Sequence, residues 1–228
     1  IQLKNDNKVV LTSSSKVKVK EEDYFLIEGN LLFSKRGEFM DWYAIDKDYI
    51  KYLKDFDIYV PNIEYKDRMK CFLGILLKSD DMDYFAPLTS YKPKFTNMKN
   101  DIDFYKIVNS KTQKIYGAID LNNMIPVTSE NYTKITFDNL QQFREFTSLR
   151  DKKMYWKLLC TEASYIDENL ILENAEKLYR LKEQRPNNNI SKRCCDFKLL
   201  EEKCKEYIEK QNDFEESKDD FDIDITEE

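Results

Sequence analysis

The chain is predicted to be an α+β protein, a small antiparallel barrel of short strands flanked by helices. Three observations lead there. Short apolar runs separated by turn residues follow one another closely between Met40 and Val127. Helical periodicity takes over between Thr136 and Arg185. Only 4 Gly and 5 Pro among 228 residues argue against glycine-rich phosphate loops and low-complexity linkers. This length, with 41% hydrophobic residues, suits one packed domain with a helical appendage.

The first 39 residues begin polar. They then carry Tyr24-Phe25-Leu26-Ile27, the turn signal Glu28-Gly29-Asn30, and Leu31-Leu32-Phe33, which read as a hairpin. Lys35-Arg36-Gly37-Glu38 can be encoded by an unbroken purine run, the composition of a ribosome-binding site, and Met40 follows one residue later. Residues 1–39 are therefore expected to be upstream sequence rather than a genuine extension, with the native start at Met40. N-terminal sequencing of the natively expressed protein checks this.

Residues 40–211 form the expected domain. Trp42-Tyr43-Ala44-Ile45 opens it as a strand. Asp46 then caps a short helix with Tyr49, Ile50, Leu53 and Phe56 at helical spacing. Val60-Pro61-Asn62 ends that helix with turn chemistry. Cys71–Leu77 reads as a buried strand. Ser79-Asp80-Asp81 turns the chain into Tyr84-Phe85-Ala86-Pro87-Leu88. Further strands are expected at Phe104–Val108, Ile115–Ile119 and Met124–Val127. Thr136–Arg185 is read as helical, with Asp138 and Gln141 as a capping box and with Leu158, Leu159, Ile166, Leu170, Leu172, Ala175 and Leu178 in apolar stripes. Phe143, Phe146, Tyr155 and Trp156 fit helix packing better than a cofactor box. Pro186 and Asn187-Asn188-Asn189 break the pattern, and Phe197–Ile208 forms a last helix. Residues 212–228 are expected to be an acidic, disordered tail.

Composition excludes whole classes of chemistry. The chain has no histidine, which removes Ser-His-Asp and Cys-His triads, His-based zinc sites and ribonucleases that use a histidine pair. Acid–base work must fall to Lys, Tyr, Asp, Glu, Ser or Thr. The five cysteines are odd in number, lack a C-x-x-C pair, and are expected to be reduced structural thiols rather than metal ligands. No apolar run approaches the ~20 residues of a membrane span, and no secretory signal is visible, so a cytoplasmic protein without a metal or cofactor is expected. The net charge of −6 is uneven. From Arg193 onward 14 acidic residues face 6 basic ones, so the middle of the chain can still present a basic surface.

The densest functional signal is Tyr84-Phe85-Ala86-Pro87-Leu88-Thr89-Ser90-Tyr91-Lys92-Pro93-Lys94. It sets two hydroxyls and two lysines at a strand end stiffened by proline, a cradle suited to phosphate. Upstream, Tyr65, Lys66, Arg68 and Lys70 add a phenol and three cations, and Lys99 extends the set. Together they form an electrostatic track for a single RNA strand, with Tyr65, Tyr91 and Phe95 placed to stack on unpaired bases. Taken singly, these lysines are ordinary solvated charges. Their clustering carries the RNA reading.

The segments Asp48–Lys54, Val60-Pro61-Asn62, Phe72-Leu73-Gly74-Ile75, Ala86-Pro87-Leu88-Thr89-Ser90, Lys92-Pro93-Lys94 and Met124-Ile125-Pro126 occur in an order that resembles the ToxN/AbiQ family, the toxins of type III toxin–antitoxin systems. Phe197–Lys203 is similar to that family's C-terminal helix. The resemblance runs from Met40 to about Ile208. It implies a compact, distorted antiparallel SH3-like barrel akin to MazF/Kid-type toxins. It implies metal-independent endoribonuclease activity leaving 2′,3′-cyclic phosphate and 5′-hydroxyl ends. It also implies a repeated pseudoknot RNA antitoxin, a ring-shaped RNA–protein assembly, and phage defence through abortive infection, with cellular or phage RNA as substrate.

The family's catalytic threonine, serine and lysine fall on Thr89, Ser90 and Lys92, its lysine before the Phe-x-Gly strand on Lys70, and its tyrosine on Tyr65. Lys92 is the first candidate for stabilising the phosphorane. Thr89 and Ser90 are candidates to donate to its oxygens, and Tyr65 to position substrate or move a proton. Lys66, Arg68, Lys70, Lys94, Phe95 and Lys99 are the candidate RNA-binding residues. Two other readings stand beside this one: a non-catalytic RNA-binding barrel, and a protein-binding SH3-like module that the lysine-rich loops disfavour.

Overall fold

The computed structural model describes residues 24–27, 30–33, 40–63 and 70–223, the first two segments and 214–223 by backbone alone. Strands β1 (Tyr24–Ile27) and β2 (Asn30–Phe33) pair antiparallel, with Ile27 opposite Asn30, so the expected hairpin forms.

The main sheet is built on one long strand. β3 (Asp41–Ile45) leads into α1 (Lys47–Lys54), and Asp46 caps α1 by accepting from the Tyr49 amide at 2.9 Å. β4 (Phe72–Gly74) and the two-residue β5 (Lys78–Ser79) precede β6 (Met82–Ser90). β7 (Tyr105–Val108), β8 (Ile115–Ile119), β9 (Ile125–Val127) and β10 (Tyr132–Lys134) complete it. The strand order is β10-β3-β4-β6-β8-β7, all antiparallel, and β5 and β9 also pair with β6. β6 thus changes partners along its length. Asp83–Phe85 pairs with β9, Ala86-Pro87 with β4, and Leu88–Ser90 with β8. Its first half is buried, and its last residues emerge at the surface.

Helices α2 (Leu149–Ala163), α3 (Glu168–Gln184) and α4 (Phe197–Ile223) pack against this sheet. Tyr49, Ile50, Leu53, Tyr84, Phe85, Ile171, Leu178, Phe197 and Leu200 share one core. Buried polar groups are tied in. Tyr49 Oη donates to the Pro126 carbonyl at 2.6 Å, and Trp42 Nε1 donates to the Leu159 carbonyl at 2.9 Å. Tyr84 and Tyr179 both donate to Glu201 Oε1, at 2.9 and 2.6 Å, which fastens the site strand to α4. Burial alone would raise the Glu201 carboxyl, but donors from Tyr179, Lys198, Tyr84 and Ser79 outweigh it and hold the group below its ordinary value. The five cysteines are free thiols. Burial pushes Cys71 up to about 12.

Three expectations are corrected. The run Cys71–Leu77 supplies a strand only over Phe72–Gly74. Residues 136–148 contain no α-helix, only a 3-10 turn at Leu140–Gln142. There the Asn139 side chain accepts from the Thr136 amide and donates to the Lys134 carbonyl, holding a turn that competes with helix. The cap of α2 is accordingly Ser148, which accepts from the Asp151 amide, and not Asp138. Finally, α4 does not stop at Ile208 but runs to Ile223, because its acidic stretch contains Lys, Gln and Glu and no Gly or Pro to end it. Among the described residues no helix is long and apolar enough to cross a membrane.

Candidate functional site

The end of β6 and the start of the loop behind it form the site. Thr89 and Ser90 pair with Ala118 and Gly117 of β8. The pairing is unusually close. A Cβ added to Gly117 would lie 2.6 Å from the Thr89 carbonyl oxygen, so the absence of a side chain there lets the two backbones approach. Beyond Ser90 the Tyr91 amide donates to the Tyr116 carbonyl at 3.2 Å. A short 3-10 turn, Pro93–Thr96, then starts from extended Lys92 with Pro93 at its first position.

These elements line a groove of about 550 Å³. Its lining comprises Thr89, Lys92, Lys94, Phe95, Met98, Lys99, Asp101, Asp103, Phe104, Asp120, Asn122, Asn123 and Arg193. Ser90, Lys92, Lys94 and Lys99 are exposed, and Thr89 is half-buried.

Asp120 follows β8 and was not foreseen from the sequence. Thr89 Oγ1 donates to its Oδ2 at 2.5 Å. Burial raises the Asp120 carboxyl above its usual range, against the pull of that hydrogen bond and of Lys70, Lys92 and Lys94. Lys70, just before β4, completes the cluster. Burial lowers its ammonium below the ordinary lysine value, the charge of Lys92 pushes the same way, and Asp120 opposes both. Lys70, Lys92, Lys94, Thr89 and Asp120 are therefore close enough to act on one another.

The sequence-predicted residues separate into groups. Thr89, Lys92, Lys94 and Lys99 line one groove, Ser90 follows Thr89 on the same strand, and Lys70 faces Asp120 and Lys92. Tyr65, Lys66 and Arg68 lie outside the described residues. Tyr91 is exposed, with its hydroxyl 3.3 Å from Thr96 Oγ1. Phe95 lines the same groove but is only 2% exposed, packing with Phe104 and Ala118 in a small second core, edge-on to Phe104 at 5.2 Å. Thr89 is also constrained, since its only proton is already given to Asp120, and Ser90 is left as the open hydroxyl. Among the described residues no group of three or more His, Cys, Asp or Glu is disposed to hold a metal ion.

Fold and groove together define an α+β protein that gathers lysines and hydroxyls at one end of a long curved strand. A family model described as Toxin ToxN, type III toxin–antitoxin system, matches residues 41–205, and the chain belongs to that family. It is 30% identical over 185 residues to the Endoribonuclease ToxN of Pectobacterium atrosepticum, covering 78% of this chain and 99% of that one. Two solved structures are similar. One is a type III toxin selectively inhibited by a non-coding RNA pseudoknot, with 29% identity, a TM-score of 0.62, and coverage of 75% of this chain and 98% of the other. The second is AbiQ, a lactococcal anti-phage endoribonuclease of a type III system, with 27% identity, a TM-score of 0.60, and the same coverages.

Proposed function

We propose that this protein is an endoribonuclease toxin that cleaves RNA without a metal ion, through attack of a ribose 2′-hydroxyl on its own 3′-phosphodiester. The observation that carries this reading is a groove lined by Thr89, Lys92 and Asp120, with Ser90 next to Thr89 on β6 and Lys70 close enough to Asp120 and Lys92 to feel their charges. The endoribonuclease names of the family relatives support it.

The lysine whose burial lowers its pKa, Lys70, takes the 2′-hydroxyl proton. It holds a larger neutral fraction than an exposed lysine would. As the 2′-oxygen bonds to phosphorus, Lys92 sets its ammonium against the charge growing on the non-bridging oxygens, and the exposed Ser90 hydroxyl donates to one of them. The bond from phosphorus to the 5′-oxygen then breaks, that oxygen takes a proton from water at the exposed strand end, and a 2′,3′-cyclic phosphate and a 5′-hydroxyl remain. Thr89, fixed by Asp120, sets the strand end in place. Lys94 and Lys99 hold flanking phosphates. DNA lacks the nucleophile and is not cut.

The same reading extends to the surroundings. The sheet, bent at β6, is a distorted SH3-like barrel. The inhibitor is a repeated pseudoknot RNA that assembles with several copies of the toxin into a ring, the setting is the cytoplasm, and the outcome is phage defence by abortive infection. The pseudoknot-inhibited toxin among the similar structures supports the RNA inhibitor, and the anti-phage AbiQ supports phage defence.

The test incubates purified protein with RNA in excess chelator. Persistent cleavage, cyclic-phosphate ends, and a loss of at least 100-fold in Lys92→Ala are expected, in line with about 2.7–4 kcal/mol for removing a transition-state donor. Cleavage that stops on chelation overturns the metal-independent mechanism.

A further inference from the structure

The lining of the groove mixes two chemistries. Lys92, Lys94 and Lys99 suit phosphate. Beside them in the same lining stand two carboxylates, Asp101 and Asp103, the amides Asn122 and Asn123, the apolar Met98 and Phe104, and the planar cation Arg193. Two carboxylates repel a phosphate, whereas a flat ring with N–H groups on its edge suits all of these neighbours.

Asp103 is the decisive group. It is 3% exposed, and its Oδ2 accepts from Arg193 Nε. Its Oδ1 is shielded from solvent and has no hydrogen-bond partner among the described residues. A buried carboxylate oxygen without a donor carries an unmet demand worth more than a surface one. The torsion that carries the two oxygens is soft, so a donor lodged in the groove meets Oδ1 after a small rotation.

The walls around it are fixed. The Asn122 amide nitrogen donates to the Asp103 carbonyl at 3.1 Å, and Asn122 Nδ2 to the Arg193 carbonyl at 3.1 Å. Asn123 Nδ2 donates to the Tyr59 carbonyl at 2.6 Å. Arg193, half exposed and anchored through Nε, offers a flat face for stacking.

Resting on the endoribonuclease reading, we propose that the paired Asp103 and Arg193 in the groove lining form a nucleobase subsite beside the cleaved phosphodiester, and that Asp103 selects a base with an amino group over uracil. Adenine, cytosine and guanine each present an N–H₂ donor. Uracil presents one N–H flanked by two carbonyl oxygens, which the carboxylates repel.

The experiment cleaves a randomised RNA pool with the purified full chain and sequences the new ends. Wild type is expected to favour amino-bearing bases over uracil by about 10- to 100-fold at one position next to the cut. Asp103→Asn is expected to move that single position toward uracil. Arg193 Nε still needs an acceptor, so it fixes the amide with its oxygen on the arginine and its NH₂ where Oδ1 stood. Arg193→Gln, at a half-exposed position that tolerates change, is expected to blunt selectivity at the same position and to slow the cut, since it removes the stacking face. Circular dichroism melts check both folds. Cleavage with no base preference there, or a preference unchanged in the folded variants, overturns the subsite and leaves the nuclease standing. Absence of cleavage by wild type overturns the nuclease reading and the subsite with it.

Discussion

Gly117→Ala is a small change with a calculable effect. The added Cβ would stand 2.6 Å from the Thr89 carbonyl oxygen and 3.4 Å from Leu88 Cδ1. An unforced carbon–oxygen approach is about 3.3 Å, so β6 and β8 must part by about 0.7 Å. The obstacle is backbone and cannot swing aside. Overpacking of this kind costs about 1–3 kcal/mol of stability. Gly117 lies opposite Ser90, so the displacement falls on the strand end that carries both hydroxyls. A misplacement near 1 Å at a reacting centre costs about 100-fold in rate, so cleavage per folded molecule should drop about 10- to 100-fold. Single-turnover RNA cleavage and urea unfolding, run in parallel, measure the two effects. Gly74→Ala is the control. Its Cβ would collide with the Phe85 ring, in the core and not on the groove, so it should destabilise while the folded fraction still cuts. Gly117→Ala cutting at the wild-type rate with unchanged stability would refute the reasoning.

Two further outcomes concern protons. Asp120 favours the protonated form of Lys70, so Asp120→Asn should move the rising limb of the pH–rate profile to lower pH; a limb that stays in place or moves up excludes Lys70 as the proton acceptor. Glu162 is 5% exposed, and burial raises its carboxyl to about 7. A raised carboxylate binds its proton more tightly folded than unfolded. Stability should therefore fall as pH rises from about 4.5 to 7, by about 3 kcal/mol at most, and Glu162→Gln should flatten that slope in urea titrations at several pH values.

Much of the strand plan was legible because its signals are local. Asp46 with Tyr49, Ile50 and Leu53 announces α1, and Ser79-Asp80-Asp81 announces the turn into β6. β10 was not foreseen, since Tyr132-Thr133-Lys134 is too short to show alternation and becomes a strand only by pairing with β3. The start of α2 was misplaced because Asp138 and Ser148 both resemble caps, and tertiary packing chooses between them. In the site, Thr89, Ser90, Lys92 and Lys94 are neighbours in sequence and stood out together. Asp120, Asp103 and Arg193 did not, because each is an ordinary charge until folding brings it across the sheet. Phe95, an aromatic near lysines, reads as a stacking platform, and only the structure shows how much of its ring is taken up by Phe104.

Asp103 and Arg193, which meet in the groove lining, stand 90 positions apart, and the site strand is pinned from behind by Glu201 of α4. A nascent chain that stops short of Arg193 has neither contact, so the groove closes only once the segment carrying Arg193 and Glu201 has docked on the sheet.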